Sequence, residues 1–171
     1  YMTIYFAADH AGFALKQALL PYVQSLGFEV YDCGAHELNP EDDYPFWIAK
    51  AARSVSTDSQ KSLGIVIGGS GQGEAIVANK FRHVRAAVYY GGTEQHESII
   101  TLSREHNDAN VLSLGARFLS TEQAQRVVKK WLTHNYHLAE RHRRRIMHID
   151  ALEHETFSQF LRGIVKNLWP K

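Results

Sequence analysis

The sequence predicts an α/β fold: a three-layer, doubly wound, Rossmann-like sheet of five parallel strands with a C-terminal helical extension. Short β-branched and aromatic runs alternate with stretches of helical apolar spacing, five such units follow one another, and a glycine-rich turn separates the third strand from its helix. Strands joined through helices need right-handed crossovers, which make the sheet parallel and cover both its faces. Ligands of such sheets bind outside the carboxyl ends of the strands, where strand order reverses.

Thr3 to Ala8 reads as a buried strand. Phe13, Leu15, Leu19, Leu20, Val23 and Leu26 then recur at helical spacing over Gly12 to Leu26, and Gly27 stops that helix. Phe28 to Asp32 is the second strand and Cys33 to Asp43 a polar loop. Tyr44 to Val55 is a helix entered at Tyr44-Pro45, proline being tolerated in a first turn. Leu63 to Ile67 is the third strand, followed by the glycine turn Gly68 to Gly73 and a helix from Glu74. Arg85 to Tyr89 and Asn110 to Leu114 complete the strands. Helices fall at Thr93 to Arg104 and at Thr121 to Thr133, the latter capped by Ser120 or Thr121. A basic segment, His137 to Arg145, precedes Ile149, Leu152, Phe157, Phe160, Leu161, Ile164, Val165 and Leu168, which predict a terminal amphipathic helix packed on a partner subunit or on the outside of the domain. The organisation expected is one domain over residues 2–150 and an amphipathic extension over 151–171.

The 171 residues suit a single domain with an added helix, and 44% hydrophobic content supplies an ordinary core. Nineteen basic against eighteen acidic side chains leave a formal charge of +1, so no general field draws nucleic acid or an acidic membrane, and neither is expected as a partner. Any anion site must be local. The single cysteine, Cys33, excludes an internal disulfide framework and a cysteine-rich zinc site and fits a reducing compartment. Without a membrane-length apolar run or a leader pattern, the expected location is the cytoplasm.

The strongest local signal is Gly64-Ile65-Val66-Ile67-Gly68-Gly69-Ser70-Gly71-Gln72-Gly73-Glu74, a strand that runs into a glycine loop and opens a helix. Such a loop lets backbone N–H groups converge on an anion beside the positive helix end; the plainer reading is a tight strand-to-helix turn. No Gly-Lys-Ser/Thr follows, so it is not a P-loop, and its spacing misses the dinucleotide fingerprint. Glu74, in the first helical turn, is either an ordinary dipole-matched acid or a general base. For the second role, burial beneath a substrate has to outweigh the helix end, which holds a carboxyl acidic. Ser70 and the loop amides would then face the negative charge formed when a proton leaves a carbon next to a carbonyl.

Asp9-His10 ends the first strand and lies beside the glycine loop if the first and third strands are neighbours. A receiver domain also keeps an acid there, but it needs an aspartate where this chain has Gly68. His106-Asn107-Asp108, before the fifth strand, is either polar rim chemistry or a loop bonded to itself. In Arg141-His142-Arg143-Arg144-Arg145, Arg141 and Arg145 share one helical face and could grip a phosphate, the alternatives being solvated helix surface or a nucleic-acid patch. The histidines show no metal-ligand spacing, and no metal is expected.

Read together, Ala8-Asp9-His10-Ala11-Gly12-Phe13, Asp43-Tyr44-Pro45, the loop Gly68 to Glu74 with Ala78-Asn79-Lys80, His106-Asn107-Asp108-Ala109-Asn110-Val111 and Gly115-Ala116-Arg117 resemble the type B ribose-5-phosphate isomerase family, which also holds the galactose-6-phosphate isomerase subunits. The resemblance covers about residues 2–150. It implies cofactor-free and metal-independent interconversion of ribose 5-phosphate and ribulose 5-phosphate through a cis-enediolate, a pentose phosphate pathway step. It also implies homodimers, or dimers of dimers, whose sites use both chains. By position, Asp9 and His106 are similar to the ring-opening residues, Ser70 with Gly69, Gly71 and Gly73 to the anion hole, Asn107 to a sugar-binding residue, and Tyr44 to a site wall. His10, Arg117, Arg141 and Arg145 match phosphate-side positions, with Arg141 and Arg145 reaching the partner's site. Many members carry a cysteine base where this chain has Gly68; the loop here looks like the subgroup whose base is the glutamate, here Glu74. Allose, galactose or tetrose phosphates remain alternative substrates, and a silent sugar-phosphate-binding protein is the alternative class.

Overall fold

A computed structural model describes residues 2–153. The element order is β1 (Thr3–Ala8), α1 (Phe13–Ser25), β2 (Glu29–Asp32), α2 (Tyr44–Thr57), β3 (Ser62–Gly68), α3 (Gln72–Ala78), β4 (Ala86–Tyr89), α4 (Glu94–Asn107), β5 (Val111–Gly115), a 3-10 turn (Ala116–Phe118), α5 (Thr121–Thr133) and α6 (Glu140–Leu152). The five strands form one parallel sheet in the order β2-β1-β3-β5-β4, as the alternation of short apolar runs and helices predicts.

Side chains alternate across each strand, so the sheet divides the core in two. Ile4, Phe6 and Ala8 of β1, Leu63, Ile65 and Ile67 of β3, and Leu112 and Leu114 of β5 pack with Leu15, Leu19 and Val23 of α1 and Val127, Val128 and Trp131 of α5. On the other face, Ala7, Val66 and Val111 meet Ile48, Ala51, Ala52 and Val55 of α2 and Ala78 of α3. Every residue of β3 is buried. A central strand buried between two helical layers accounts for the run Leu63 to Ile67 and fixes the level at which its C-terminal loop emerges.

Caps set several boundaries. Ser120 accepts a hydrogen bond from the Gln123 N–H and so starts α5, as its sequence position predicts. The helix after the glycine loop begins at Gln72 rather than Glu74, because Gly71, at φ 78°, takes the left-handed turn that a residue with a Cβ avoids. Basic residues and Ile149 and Leu152 share one helix, α6, instead of dividing into a basic segment and a separate terminal helix. The stripe expected from Phe157 to Leu168 lies outside the described residues. No described helix is long and apolar enough to cross a membrane.

Candidate active site

β1 and β3 are neighbours, with Ala8 opposite Ile67, so the adjacency of Asp9-His10 to the glycine loop holds. Strand order reverses between them, and there a cavity of about 280 Å³ opens, lined by Asp9, His10, Tyr44, Gly69, Ser70, Gly73, Glu74 and Arg117 together with Ala11 and Phe118. Asp9 is buried, and its Oδ1 accepts the Gly12 N–H at 3.0 Å. The loop is tied to β5 from below: Ser113, wholly buried, donates its hydroxyl to the Gly71 carbonyl at 2.6 Å. Arg117, leaving β5 on the 3-10 turn, is held by its own N–H on the Gly69 carbonyl at 3.1 Å. The Tyr44 ring lies against Gly73.

Glu74 is only 4% exposed. Burial holds its carboxyl above the ordinary range, against the backbone N–H groups of Glu74 and Gly71 that favour the charged form; the Asp9 charge adds to the upward push. The chain itself therefore already makes burial outweigh the helix end, without any cover from a substrate. A Cβ built at Gly68 would collide with the Glu74 carboxylate. The carboxylate thus fills the space that a side chain at position 68 would occupy, where the resemblance places a cysteine in other members. Cys33 lies in the loop after β2 and is buried, its thiol pushed up to about 11 chiefly by that burial.

His10 has a partner that the sequence does not reveal. Its Nδ1 meets Asp42 Oδ1 at 2.7 Å and its backbone N–H donates to the same oxygen at 3.1 Å, while Asp42 Oδ2 accepts the Trp47 indole N–H at 3.1 Å. The hydrogen bond to Asp42 raises the His10 pKa, which favours a cationic ring at the cavity wall. Lys16 also escapes a reading of the sequence: fully buried within α1, it donates to Asp32 Oδ1 and Oδ2 at 2.6 and 2.7 Å and to the Ala35 carbonyl at 2.7 Å, pinning the loop after β2 beside β1. A lysine set between Leu15 and Leu19 on an otherwise apolar face is the signal that could find it.

Four expected residues lie elsewhere. His106 and Asn107 end α4 just before β5, at the amino-terminal edge of the sheet. Gly64, not Gly68, pairs with Val111 there, so this edge is about 13 Å along β3 from the glycine loop. Arg141 and Arg145 sit on α6, which packs on α4: His106 and His142 stack with ring centroids 4.2 Å apart. Asn107 lines a separate groove of about 570 Å³ with Arg85, Ile149 and Leu152 among others. Both arginines are exposed, and among the described residues neither meets a carboxylate. Among the described residues no three His, Cys, Asp or Glu side chains group as metal ligands.

The fold and cavity define an α/β protein with a buried carboxylate, a glycine loop, a histidine and an arginine at the switch point of its sheet. Residues 4–149 match the family model described as Ribose/Galactose Isomerase, and the chain belongs to that family. It is 41% identical over 146 residues to ribose-5-phosphate isomerase B of Mycobacterium tuberculosis, covering 85% of this chain and 86% of that one. It is 37% identical over 150 residues to ribose-5-phosphate isomerase B of Escherichia coli, covering 88% of this chain and 95% of the relative. Among solved structures, ribose-5-phosphate isomerase B from Mycoplasma genitalium with bound ribulose-5-phosphate superposes with a TM-score of 0.84 at 35% identity, over 91% of this chain and 100% of that one.

Proposed function

We propose that the chain is a type B ribose-5-phosphate isomerase, interconverting ribose 5-phosphate and ribulose 5-phosphate through a cis-enediolate. The observation that carries the reading is the Glu74 carboxylate, buried beside Asp9 and the glycine loop in the place a side chain at position 68 would take. Agreement with relatives of that name along 85–90% of the chain supports the substrate.

In the open-chain aldose, Glu74 takes the proton from C2 and the electron pair moves to O1, giving an enediolate whose charge faces Ser70 and the amides around Gly69, Gly71 and Gly73. The O2 proton passes to O1 and Glu74 returns its proton to C1, which leaves the ketose with no atom gained or lost. His10 and Arg117 hold the phosphate side of the cavity, with the Asp42 hydrogen bond favouring the protonated form of His10, and Tyr44 closes one wall. Asp9 opens the furanose ring together with His106 of the partner subunit, and the same copy supplies the remaining groups: its Asn107 binds the sugar, and its Arg141 and Arg145 complete the phosphate clamp. The protein works as a homodimer on this reading, with residues 2–150 as the catalytic domain.

Kinetics on ribose, allose, galactose and tetrose phosphates, with exchange of the C2 proton into solvent, test the activity. Ribose 5-phosphate should give the highest kcat/KM. A higher value with another sugar phosphate transfers the assignment to that sugar, and binding without proton exchange would identify a silent binding protein. Sharing of the site is tested by mixing inactive Glu74→Gln chains with inactive Arg141→Ala, Arg145→Ala chains. Each heterodimer has one site with both lesions and one with neither, so about one site in four is restored in a statistical mixture.

A further inference from the structure

We infer that Arg85 is a positioning residue: it locks the turn that carries His106 and Asn107 onto the helix that carries Arg141 and Arg145, so that the two segments reach the partner's cavity as one rigid half-site. The inference rests on the shared-site reading above.

Arg85 precedes β4, and its side chain is 14% exposed. Its Nε donates to the carbonyls of Asn107 and Asp108, both at 3.0 Å, and its Nη2 donates to Asp108 Oδ2 at 2.8 Å. These carbonyls belong to the end of α4, where a helix leaves its last acceptors without intrahelical donors. One planar guanidinium satisfies two of them and their neighbouring carboxylate, a fork that lysine cannot reproduce. The turn needs such a hold. Asp108 is left-handed at φ 46° and ψ 44°, a conformation a residue with a Cβ adopts at some cost. Tyr136 fixes the other oxygen of the same carboxylate with a short hydrogen bond, its phenol pushed up to about 12 chiefly by burial. The Arg104 guanidinium stacks 4.9 Å from the Tyr136 ring centroid.

The second connection runs to α6. Arg85 Nη1 lies 3.8 Å from Asp150 Oδ1, and among the described residues that oxygen has no hydrogen-bond partner. One side chain therefore touches both elements of the remote half-site, while Arg85 is not among the residues that line the cavity holding Glu74. Asn107 and Arg85 also share the groove wall with Ile149 and Leu152, so the tie lies where α4, β4 and α6 converge.

The experiment is subunit mixing with Arg85→Ala. As a homodimer it should fold and dimerise, shown by circular dichroism and light scattering, while kcat/KM falls about 10²-fold, the scale of a roughly 1 Å misplacement of binding groups. Mixed with Glu74→Gln chains it should regain activity, because its lesion belongs to the half-site given away. Mixed with Arg141→Ala, Arg145→Ala chains it should regain none, because every heterodimer site then carries a lesion. Arg85→Lys should lose activity by a smaller factor with the same mixing pattern, and it replaces the alanine variant if that one does not fold. Wild-type kcat/KM in Arg85→Ala overturns the inference. So does failure to complement Glu74→Gln while the Glu74→Gln and Arg141→Ala, Arg145→Ala control mixture recovers, which would mean that Arg85 supports its whole subunit. If the control also fails with subunit exchange verified, the shared-site reading is wrong and the inference falls with it.

Discussion

The two ends of the sheet handle charge in opposite ways. At the carboxyl ends of β1 and β3, Asp9 and Glu74 are buried, one held by the Gly12 N–H and the other by helix-end amides. At the amino-terminal edge, Arg141 and Arg145 stand in solvent on α6 with no carboxylate among the described residues to neutralise them. A proton-transfer base gains from burial, which brings its pKa toward the working pH. A phosphate clamp does better solvated until occupied, since burying two unpaired guanidinium groups would cost several kcal/mol per ion. The two needs are met at separate places in one chain, and on the proposed shared-site reading a two-fold dimer would bring those places together.

The buried end should respond most severely to substitution. Glu74→Gln keeps the volume and removes the base, so kcat should fall by about 10²–10⁴-fold with little change in sugar-phosphate binding. Steady-state kinetics decide it, and near-wild-type turnover would remove Glu74 from the mechanism. Gly68→Ala approaches the same atoms from the other side: its methyl group needs the space of the Glu74 carboxylate, so activity should drop while Gly64→Ala, lower on the same strand, affects folding instead.

The exposed end should respond in binding. If Arg141 and Arg145 hold the phosphate as proposed, Arg141→Ala and Arg145→Ala should each remove a charge-assisted hydrogen bond worth about 1.5–3 kcal/mol, or roughly a ten- to hundredfold fall in kcat/KM carried mostly by KM. A sugar without its phosphate supplies the control, since turnover of free ribose should be equal in wild type and variants. Equal losses on both substrates would place the arginines away from the phosphate.

The same contrast separates what the sequence discloses from what it conceals. Thr3–Ala8 and Thr121–Thr133 have the bounds predicted, since one is a buried β-branched run and the other an amphipathic helix behind a serine cap. Asp9, His10, Tyr44, Ser70, Glu74 and Arg117 do line one cavity, because strand ends and a glycine loop are visible as local patterns. Asp42 and Arg85 leave no such pattern, and Lys16 shows only as a charge on an apolar helix face. Each gains its meaning from a partner sixteen or more residues away, as in the pairs of Asp42 with His10, Lys16 with Asp32 and Arg85 with Asp108. Nor does linear order reveal that His106, although close to β5, lies at the edge opposite to the glycine loop.

Burial of Glu74 also predicts a pH signature. Its folded-state pKa lies above the ordinary 4.5, so the folded chain binds this proton more tightly than the unfolded one, and stability falls as pH rises through the interval between the two values. Glu74→Gln lacks that loss. Its Tm should exceed that of wild type above the folded-state pKa, and the difference should shrink as pH falls toward 4.5. The acid limb of kcat/KM should lie in the same interval, because the base works only when ionised. A Tm difference independent of pH, or an acid limb at or below 4.5, would contradict the burial argument.

The smallest effect is expected at Cys33, and it separates a carboxylate base from a thiol one. A thiol acts as a nucleophile or base through its thiolate, which an electropositive and accessible setting stabilises. Cys33 has neither: it is 6% exposed, it packs among Ala7, Ile48 and Ala51 beneath the sheet, and burial followed by the Asp32 charge pushes its thiol up to about 11. Iodoacetamide at neutral pH should therefore leave activity unchanged over times that inactivate an enzyme with a thiolate base, with mass spectrometry showing Cys33 unmodified. Cys33→Ala should keep kcat within about twofold and cost only the packing of one small buried side chain, about 1 kcal/mol. Rapid inactivation that tracks Cys33 alkylation, with Cys33→Ala inactive yet folded, would move the chemistry from the glycine loop to the loop after β2.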